Sequence, residues 1–274
     1  MRVATVDGLV TLFYDGSKPI FNYELNEEFN IFYRRVGSEH NWTEIWHSWP
    51  LSDECKDYIR ERLSWQQVIV QEGVVEIPEM TFFGCHNILK VFFADTVTNI
   101  KLCAFMGCKN LAFVKWSLNL QLIGNHAFNN CNLSGVFIPP RCRVIRGCAF
   151  ARNSNLTIFT VPQDTQVGSS IVSYSKLLER SPFGGDDAYH ETNTWLKNVN
   201  NDDQFALHRV CSSFRPSLQE IIDTMKEKGG PAAFNVENSI GITPSRYLKE
   251  NPYAHVTEKE IIEKYILDMM EENS

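Results

Sequence analysis

The sequence lacks the features of several large classes of protein. No apolar run approaches the roughly 18 residues that a membrane span needs. There is no basic stripe, and 33 acidic against 26 basic residues give a net charge of −7, so nucleic-acid binding is not expected. A phosphate-binding glycine loop, a zincin motif and a nucleophile elbow are all missing. These absences predict no catalytic residues, no cofactor, no small-molecule substrate and no membrane span.

The N-terminus also lacks the pattern of a secretory signal peptide. Asp7 lies where such a peptide needs an unbroken apolar segment. We therefore expect an intracellular protein of the cytoplasm. In that compartment the eight cysteines are expected to be reduced thiols rather than a disulfide framework.

What the sequence does contain is a repeat of 22 or 23 residues between positions 65 and 162. The same residue classes recur with this period in three columns of positions. Val167 is a fifth member of the third column, which otherwise consists of isoleucines. The three columns are Val68, Val91, Val114, Val136 and Phe159; Phe82, Phe105, Phe128 and Phe150; and Ile77, Ile100, Ile123 and Ile145. A fixed period of this length predicts a solenoid, in which each rung buries its apolar residues against its neighbours.

Each rung begins with a short segment in which apolar residues alternate, as in a β-strand. The column that starts at Val68 and the column that starts at Val70 are two residues apart, so both are predicted to face the interior. The residues between them are predicted to face outward.

The stretch from Ile123 to Pro139 resembles the repeat of BspA-like leucine-rich-repeat proteins. Its letters, Ile-Gly-Asn-His-Ala-Phe-Asn-Asn-Cys-Asn-Leu-Ser-Gly-Val-Phe-Ile-Pro, follow that family's pattern of Ile-Gly, Ala-Phe, Cys, Leu, Val and Ile-Pro. The wider chain, especially residues 201–269, is similar to an expanded family of diatom proteins that join such repeats to a C-terminal helical segment. The resemblance implies an α+β fold built on a leucine-rich-repeat solenoid, here of about five rungs over residues 65–172.

Residues 1–64 are predicted to form an N-terminal cap of a hairpin and a helix. The hairpin is expected to join residues 10–14 to residues 20–23 through Asp15-Gly16. Ser52 is the expected N-cap of a helix that ends near Leu63. A terminal segment of this kind is expected because the first rung of a solenoid exposes an apolar face.

After a linker loop over residues 173–202, residues 203–274 are predicted to be an α-helical segment. Capping boxes open helices at Ser217 and at Thr257. The order of helix, Gly229-Gly230 and a second helical start is similar to an ankyrin repeat, although its landmarks Phe205 and Thr243 are 38 positions apart rather than the usual 33.

Three groups of residues suggest chemistry and have a plainer structural interpretation. Cys103, His126 and Cys148 occupy one column, and thiolate with imidazole can bind zinc, but a fourth ligand is missing from the column. The column of Cys85, Cys108 and Cys131 is predicted to be a packed ladder. His208 and Cys211 lie one helical turn apart, yet no residue in the sequence is placed to orient the histidine.

The outward positions of the solenoid are the candidate site. They are unusually apolar for a surface, and such patches often mark interaction sites. The predicted partner-binding residues are Ile69, Phe92, Lys115, Phe137, Thr160, Lys90, Phe113 and Ile158. Two interpretations stay open, because either a partner or this chain's own C-terminal segment could cover the face. We expect a non-enzymatic scaffold that binds an unknown protein partner through this face or the C-terminal helices; the alternative is a secreted or cell-surface adhesion protein of BspA-like type.

Overall fold

We describe the fold from a computed structural model of the 274-residue chain. The structure describes residues 2–13, 52–180, 195–196, 206–212, 217–238 and 241–251, together with Ala254, Glu260 and Lys264.

The chain begins with a hairpin of β1 (Arg2–Val6) and β2 (Leu9–Phe13). Its turn is Asp7-Gly8, with φ of 46° and 79°, the left-handed values that a tight two-residue hairpin turn needs. The prediction of a hairpin through Asp15-Gly16 is therefore wrong, because both edges of β2 are already paired, one with β1 and the other with the solenoid strand Gln67–Val70. The predicted second strand, residues 20–23, and the tryptophans of the following loop lie outside the described residues.

The strand β2 also closes the N-terminal end of the solenoid. It pairs in parallel with β3, so that Leu9 lies opposite Gln67 and Leu12 opposite Val70. The predicted helix follows as α1 (Asp53–Ser64), and the Ser52 side chain accepts the Cys55 N–H at 3.1 Å as its N-cap. The edge of the first rung is thus paired rather than exposed.

Two series of parallel strands form the solenoid. The first series comprises β3 (Gln67–Val70), β5 (Lys90–Phe93), β7 (Phe113–Lys115), β9 (Gly135–Phe137) and β11 (Ile158–Thr160). The second comprises β4 (Glu76–Ile77), β6 (Asn99–Ile100), β8 (Leu122–Ile123), β10 (Val144–Ile145) and β12 (Gln166–Val167). The solenoid predicted from the period is confirmed.

The first series is interrupted, whereas the second is continuous. Strands β1, β2, β3, β5 and β7 make one five-stranded sheet, and β9 pairs only with β11 among the described residues. The interruption coincides with the repeat that is one residue short, between Val114 and Val136. The rungs on either side still touch, because Asn132 N–H donates to the Leu111 carbonyl at 3.0 Å.

The core between the two series is filled by the predicted columns. The rings of Phe82, Phe105, Phe128 and Phe150 stack with nearly parallel planes, and successive centroids lie 4.8, 5.1 and 5.5 Å apart. Stacked aromatic pairs stabilise a core by roughly 0.5–1.5 kcal/mol each beyond their burial. The inward Val68 and Val91 are fully buried, as predicted.

Each turn after the second series uses left-handed backbone. One set of residues has φ between 52° and 57°: Met80, Cys103, His126, Cys148 and Ser170. Gly124 meets a different constraint, because a Cβ there would come within 2.6 Å of the Lys101 carbonyl carbon. Close approach of neighbouring rungs therefore excludes a side chain at position 124.

The C-terminal unit consists of α2 (Ala206–Ser212), α3 (Leu218–Glu227), a 3-10 segment (Gly230–Asn235) and α4 (Pro244–Glu250). A further 3-10 turn, Leu178–Arg180, follows the solenoid. Ser217 accepts the Glu220 N–H at 3.2 Å, which confirms the first predicted cap. The second capping box, at Thr257, lies outside the described residues apart from Glu260. None of the described helices combines the length and apolar character that crossing a bilayer demands.

Candidate interaction surface

The outer face of the first strand series divides into two halves. Strands β3, β5 and β7 carry the outward residues of the open half, and β9 and β11 carry those of the covered half. Within each half the register sets outward residues side by side, as in the pairs Lys90 with Phe113 and Phe92 with Lys115. The interrupted ladder between β7 and β9 marks the boundary.

The open half presents two aromatic rings between two cations. Phe92 and Phe113 are half-buried, and their ring centroids lie 5.5 Å apart. Lys90 and Lys115 are exposed beside them, and Ile69 is half-buried. All five are predicted site residues, and the structure brings them together on one surface.

The covered half is inaccessible. Phe137 and Ile158 expose 1% and 0% of their surface, and Thr160 exposes 8%. The prediction that these three residues bind a partner is therefore corrected. Their place in the repeat faces outward, as the alternation implied, but other parts of the same chain cover them.

Helix α4 covers this half. Arg246 donates from Nη2 to the Thr157 hydroxyl at 3.0 Å and from Nε to Glu250 Oε1 at 2.9 Å. A Cβ on Gly135 would lie 3.4 Å from Glu250 Oε2, so the Glu250 side chain of the helix lies against the strand there. Phe137 and Ile158 belong to one continuous hydrophobic core with Tyr247 and Leu248 of α4.

The residues that hold α4 in place were missed by sequence reasoning. Arg246 and Glu250 are spaced as an ordinary surface pair of a helix, and their contact residue Thr157 lies 89 positions from Arg246. One signal was available. Gly135 is the only glycine in an outward column otherwise made of Gln, Lys, Phe and Ile, and a missing side chain within a strand often marks close approach of another segment.

The Cys103, His126 and Cys148 column does not form a metal site. Among the described residues, which include all three, no group of three or more His, Cys, Asp or Glu side chains could hold an ion. His126 Nδ1 instead lies 3.3 Å from Asn129 Nδ2, and burial raises the pKa of the Cys148 thiol. The column is better explained by its shared left-handed turn.

The cysteine ladder is a structural element. The thiols of Cys108 and Cys131 donate to the Phe82 and Phe105 carbonyls at 3.1 and 3.3 Å. Burial raises the pKa of Cys85 to about 11, which opposes formation of the reactive thiolate. In the next rung Asn153 replaces the cysteine and donates to the Phe128 carbonyl at 2.8 Å.

Arg62, which sequence reasoning did not single out, closes the N-terminal end of this ladder. It exposes only 3% of its surface, donates to the Tyr58 hydroxyl at 2.8 Å and donates to the Phe83 carbonyl at 3.1 Å. Its guanidinium also lies 5.5 Å from the centre of the Trp65 ring. These contacts compensate part of the cost of burying the cation.

His208 and Cys211 are packing residues of the C-terminal unit. The His208 Nε2 lies 2.8 Å from the Val236 carbonyl, and burial lowers the pKa of the ring. Burial raises the pKa of the Cys211 thiol far above its ordinary value. A buried thiol with so high a pKa is a poor nucleophile at neutral pH.

Comparison with known proteins identifies the repeat. Residues 64–184 match six copies of the family described as BspA type leucine rich repeat region. This part of the chain is a leucine-rich-repeat solenoid of that type, and proteins with such repeats generally mediate protein–protein interaction or adhesion and are typically non-enzymatic. The ankyrin-like and diatom resemblances stay predictions.

Solved structures with the same kind of repeat resemble only part of the chain. A leucine-rich-repeat protein of T. pallidum is 28% identical, with a TM-score of 0.38, over 41% of this chain and 55% of its own. A leucine-rich cell surface protein of Faecalibacterium prausnitzii is 25% identical, with a TM-score of 0.38, over 39% of this chain and 29% of its own. The chain thus spans about half or less of the length of these relatives. A search among curated proteins gave no match.

Proposed function

We propose that this BspA-type solenoid is the core of a non-enzymatic scaffold for protein–protein interaction, and that its partner binds the open half of the outer face. The proposal rests on one observation. Phe92 and Phe113 stay half-buried side by side between the exposed Lys90 and Lys115, while the equivalent residues of the covered half are buried. An apolar centre with a charged rim is the usual anatomy of a protein interface.

The chemistry of the open half favours a partner with acidic groups around an apolar contact. Two exposed lysines flank the aromatic pair, and no ion pair joins either of them to another described residue. Complementary charge at a rim accelerates association and selects partners. The rest of the chain is net acidic, so the open half is a local cationic exception.

The experiment is affinity capture by the full chain from extracts of its source cells. We expect a protein that is captured by the natural chain and lost with the double variant Lys90→Glu, Lys115→Glu. The matched control is Lys109→Glu, Lys176→Glu, which reverses two exposed lysines elsewhere. Capture that survives the first double variant, or that both variants lose equally, would overturn the assignment of the surface.

We also propose that the protein acts inside the cell. Six of the eight cysteines are buried, and the thiols of Cys108 and Cys131 donate to backbone carbonyls, which supports a compartment that keeps thiols reduced. The rival is a secreted or surface adhesion protein, since adhesion is the other general role of the family. A tagged full-length copy should fractionate with cytosolic proteins. Its recovery from the outside of the plasma membrane would favour the rival.

A further inference from the structure

The charges of the solenoid are segregated along the chain. Residues 96–163 contain three lysines and four arginines but no aspartate or glutamate, although the whole chain has a net charge of −7. The four arginines all belong to the fourth rung, which contains β9 and β10. They are Arg141, Arg143, Arg146 and Arg152. An acidic chain thus has one rung in which every charge is positive, and this concentrates a positive potential there.

Two of these arginines, Arg143 and Arg146, flank the strand β10. Both are exposed, and within the described part of the chain no ion pair joins either of them to a carboxylate. By contrast, Lys101 occupies the repeat position of Arg146 two rungs earlier and pairs with Glu76 at 3.0 Å. The two guanidinium groups are therefore available to an anionic ligand.

The strand ladder holds Arg143 and Arg146 at a fixed spacing. Arg143 precedes β10 and Arg146 follows it, so their backbones lie about 10 Å apart along the strand. The Arg143 N–H donates to the Gln121 carbonyl at 2.8 Å, and the Arg146 N–H donates to the Ile123 carbonyl at 2.9 Å. Because both bonds reach the preceding rung, the points from which the two side chains leave the backbone are preorganised.

Apolar side chains lie between the two arginines. Val144 pairs with Leu122 in the parallel ladder, and both are half-buried, whereas the next residues, Ile145 and Ile123, are fully buried. Exposed ion pairs contribute little one by one, so an apolar contact has to add to them in a stable complex. The arginine face is the name we give to this surface of Arg143, Val144, Arg146 and Leu122.

The neighbouring rungs leave space around Arg146. Gly124 and Gly168 occupy its repeat position in the rungs before and after it. A Cβ at either glycine would come within 2.6 Å of a backbone atom of the adjacent rung. Neither position can therefore hold a side chain that would shield the guanidinium.

We propose that the arginine face binds an acidic peptide segment of a partner protein, in which two anionic side chains about 10 Å apart flank an apolar residue. A guanidinium pairs with a carboxylate or a phosphate group through two parallel hydrogen bonds, so glutamate, aspartate and phosphoserine all suit the site. The arginine face lies on the second strand series, and the core separates it from the open half. It is therefore a second site, and it does not rest on the proposed function.

The small extent of the positive charge favours a short peptide segment over a nucleic acid or a membrane. Exposed acidic residues lie on both sides of the fourth rung: Glu76 and Glu79 in the first rung, and Asp164 in the fifth. A nucleic acid needs a longer row of cations, and an anionic bilayer would extend over these carboxylates. A segment with a few acidic residues can remain on the fourth rung and its neighbours.

The test is fluorescence anisotropy with the full chain and a fluorescein-labelled peptide of repeated Glu-Leu-Ser. This peptide places an acid at every third residue, about 10 Å apart when extended. We expect saturable binding that weakens as the salt concentration rises, because salt screens the attraction. The matched peptide with glutamine in place of glutamate should not bind. Equal binding of the two peptides would overturn the proposal.

Two double variants identify the surface that binds the peptide. Arg143→Glu with Arg146→Glu should lower the affinity at least about tenfold, because two attractions become repulsions. Lys90→Glu with Lys115→Glu changes the net charge equally but lies on the open half, and should alter the affinity less than about twofold. Equal losses would mean that net charge alone decides binding, and would refute the arginine face.

The same two variants keep this site distinguishable from the open half. If the lysine variant loses the peptide and the arginine variant keeps it, the acidic segment binds the open half. That result would support the proposed function and refute the arginine face. Arg143→Gln with Arg146→Gln removes the charges without adding repulsion and should give a smaller loss in the same direction. Urea unfolding should show unchanged midpoints, since both arginines are exposed.

Competition identifies the class of ligand. An unlabelled peptide of repeated phosphoserine-Leu-Ser should displace the glutamate peptide at an equal or lower concentration, because each phosphate carries more charge. A single-stranded oligonucleotide and vesicles that contain phosphatidylserine should displace it only at a higher concentration of anionic groups. If either displaces the peptide more effectively than phosphoserine-Leu-Ser does, the arginine face is a nucleic-acid or membrane surface, and its assignment to a peptide is overturned.

Discussion

The two halves of the outer face come from the same repeat, yet only one of them is covered. Val91 and Val136, which face inward in the open and covered halves, expose 0% and 1% of their surface. Outward, Phe137 is buried while Phe92 is only half-buried. The repeat therefore fixes what packs between rungs, because every rung has the same neighbours there. The outer face depends on the chain outside the repeat.

The largest expected effect is a difference in stability between two single variants, each of which places the same charged residue in one of the halves. Phe137→Asp should lower the free energy of unfolding by at least about 4 kcal/mol, because it leaves a void and buries a carboxylate. Phe92→Asp should cost only about 1 kcal/mol, since its new charge can reach water. Urea unfolding of the two single variants measures the difference. Equal costs would mean that the two halves are equally buried.

A second pair of variants tests how closely α4 lies on the covered half. Gly135→Leu should destabilise the protein by about 1–3 kcal/mol, because the new side chain meets the Glu250 carboxylate and the Phe137 ring. Lys90→Leu, at the same repeat position in the open half, should change stability by no more than about 0.5 kcal/mol. The readout is again urea unfolding. A tolerated leucine at position 135 would show that α4 does not rest on β9.

The sequence predicts the structural features that recur in every rung of the solenoid. The period located the inward columns, and the single residue lost before Leu133 coincides with the interrupted ladder. The contact of Arg246 with Thr157 was not predictable, because neither residue belongs to a pattern that refers to the other. The hairpin was misplaced for a related reason: Asp7-Gly8 and Asp15-Gly16 are equal turn signals, and only pairing of β2 with β3 selects between them.

A third test removes the polar contacts between helix α4, which contacts the covered half, and the sheet. Arg246→Ala should cost about 1 kcal/mol, because the lost bonds are only partly buried. The informative measurement is native-state hydrogen exchange. The amides of Thr157 and Ile158, which donate to the Ser134 carbonyl, should exchange faster, while those of β3 and β5 stay unchanged. Uniform acceleration in both halves would contradict a local role for α4.

The smallest effect is a dependence of the covered half on pH. Burial lowers the pKa of His208, and hydrogen bonds to the backbone of Val236 and Ile242 only partly oppose this shift. The unfolded chain therefore binds a proton first as the pH falls below about 6.5, and the free energy of unfolding decreases from there towards the lower folded pKa.

The ring of His208 lies edge-on to Tyr247 of α4, with centroids 6.2 Å apart. As the pH falls, the decrease in the free energy of unfolding should therefore loosen the covered half at a higher pH than the open half. His208→Gln keeps a donor near the Val236 carbonyl and removes the titration. We expect the difference in unfolding free energy between about pH 7.5 and about pH 5.5 to shrink in this variant. If the difference is unchanged, another group causes the acid sensitivity. The two halves would then differ in their packing alone.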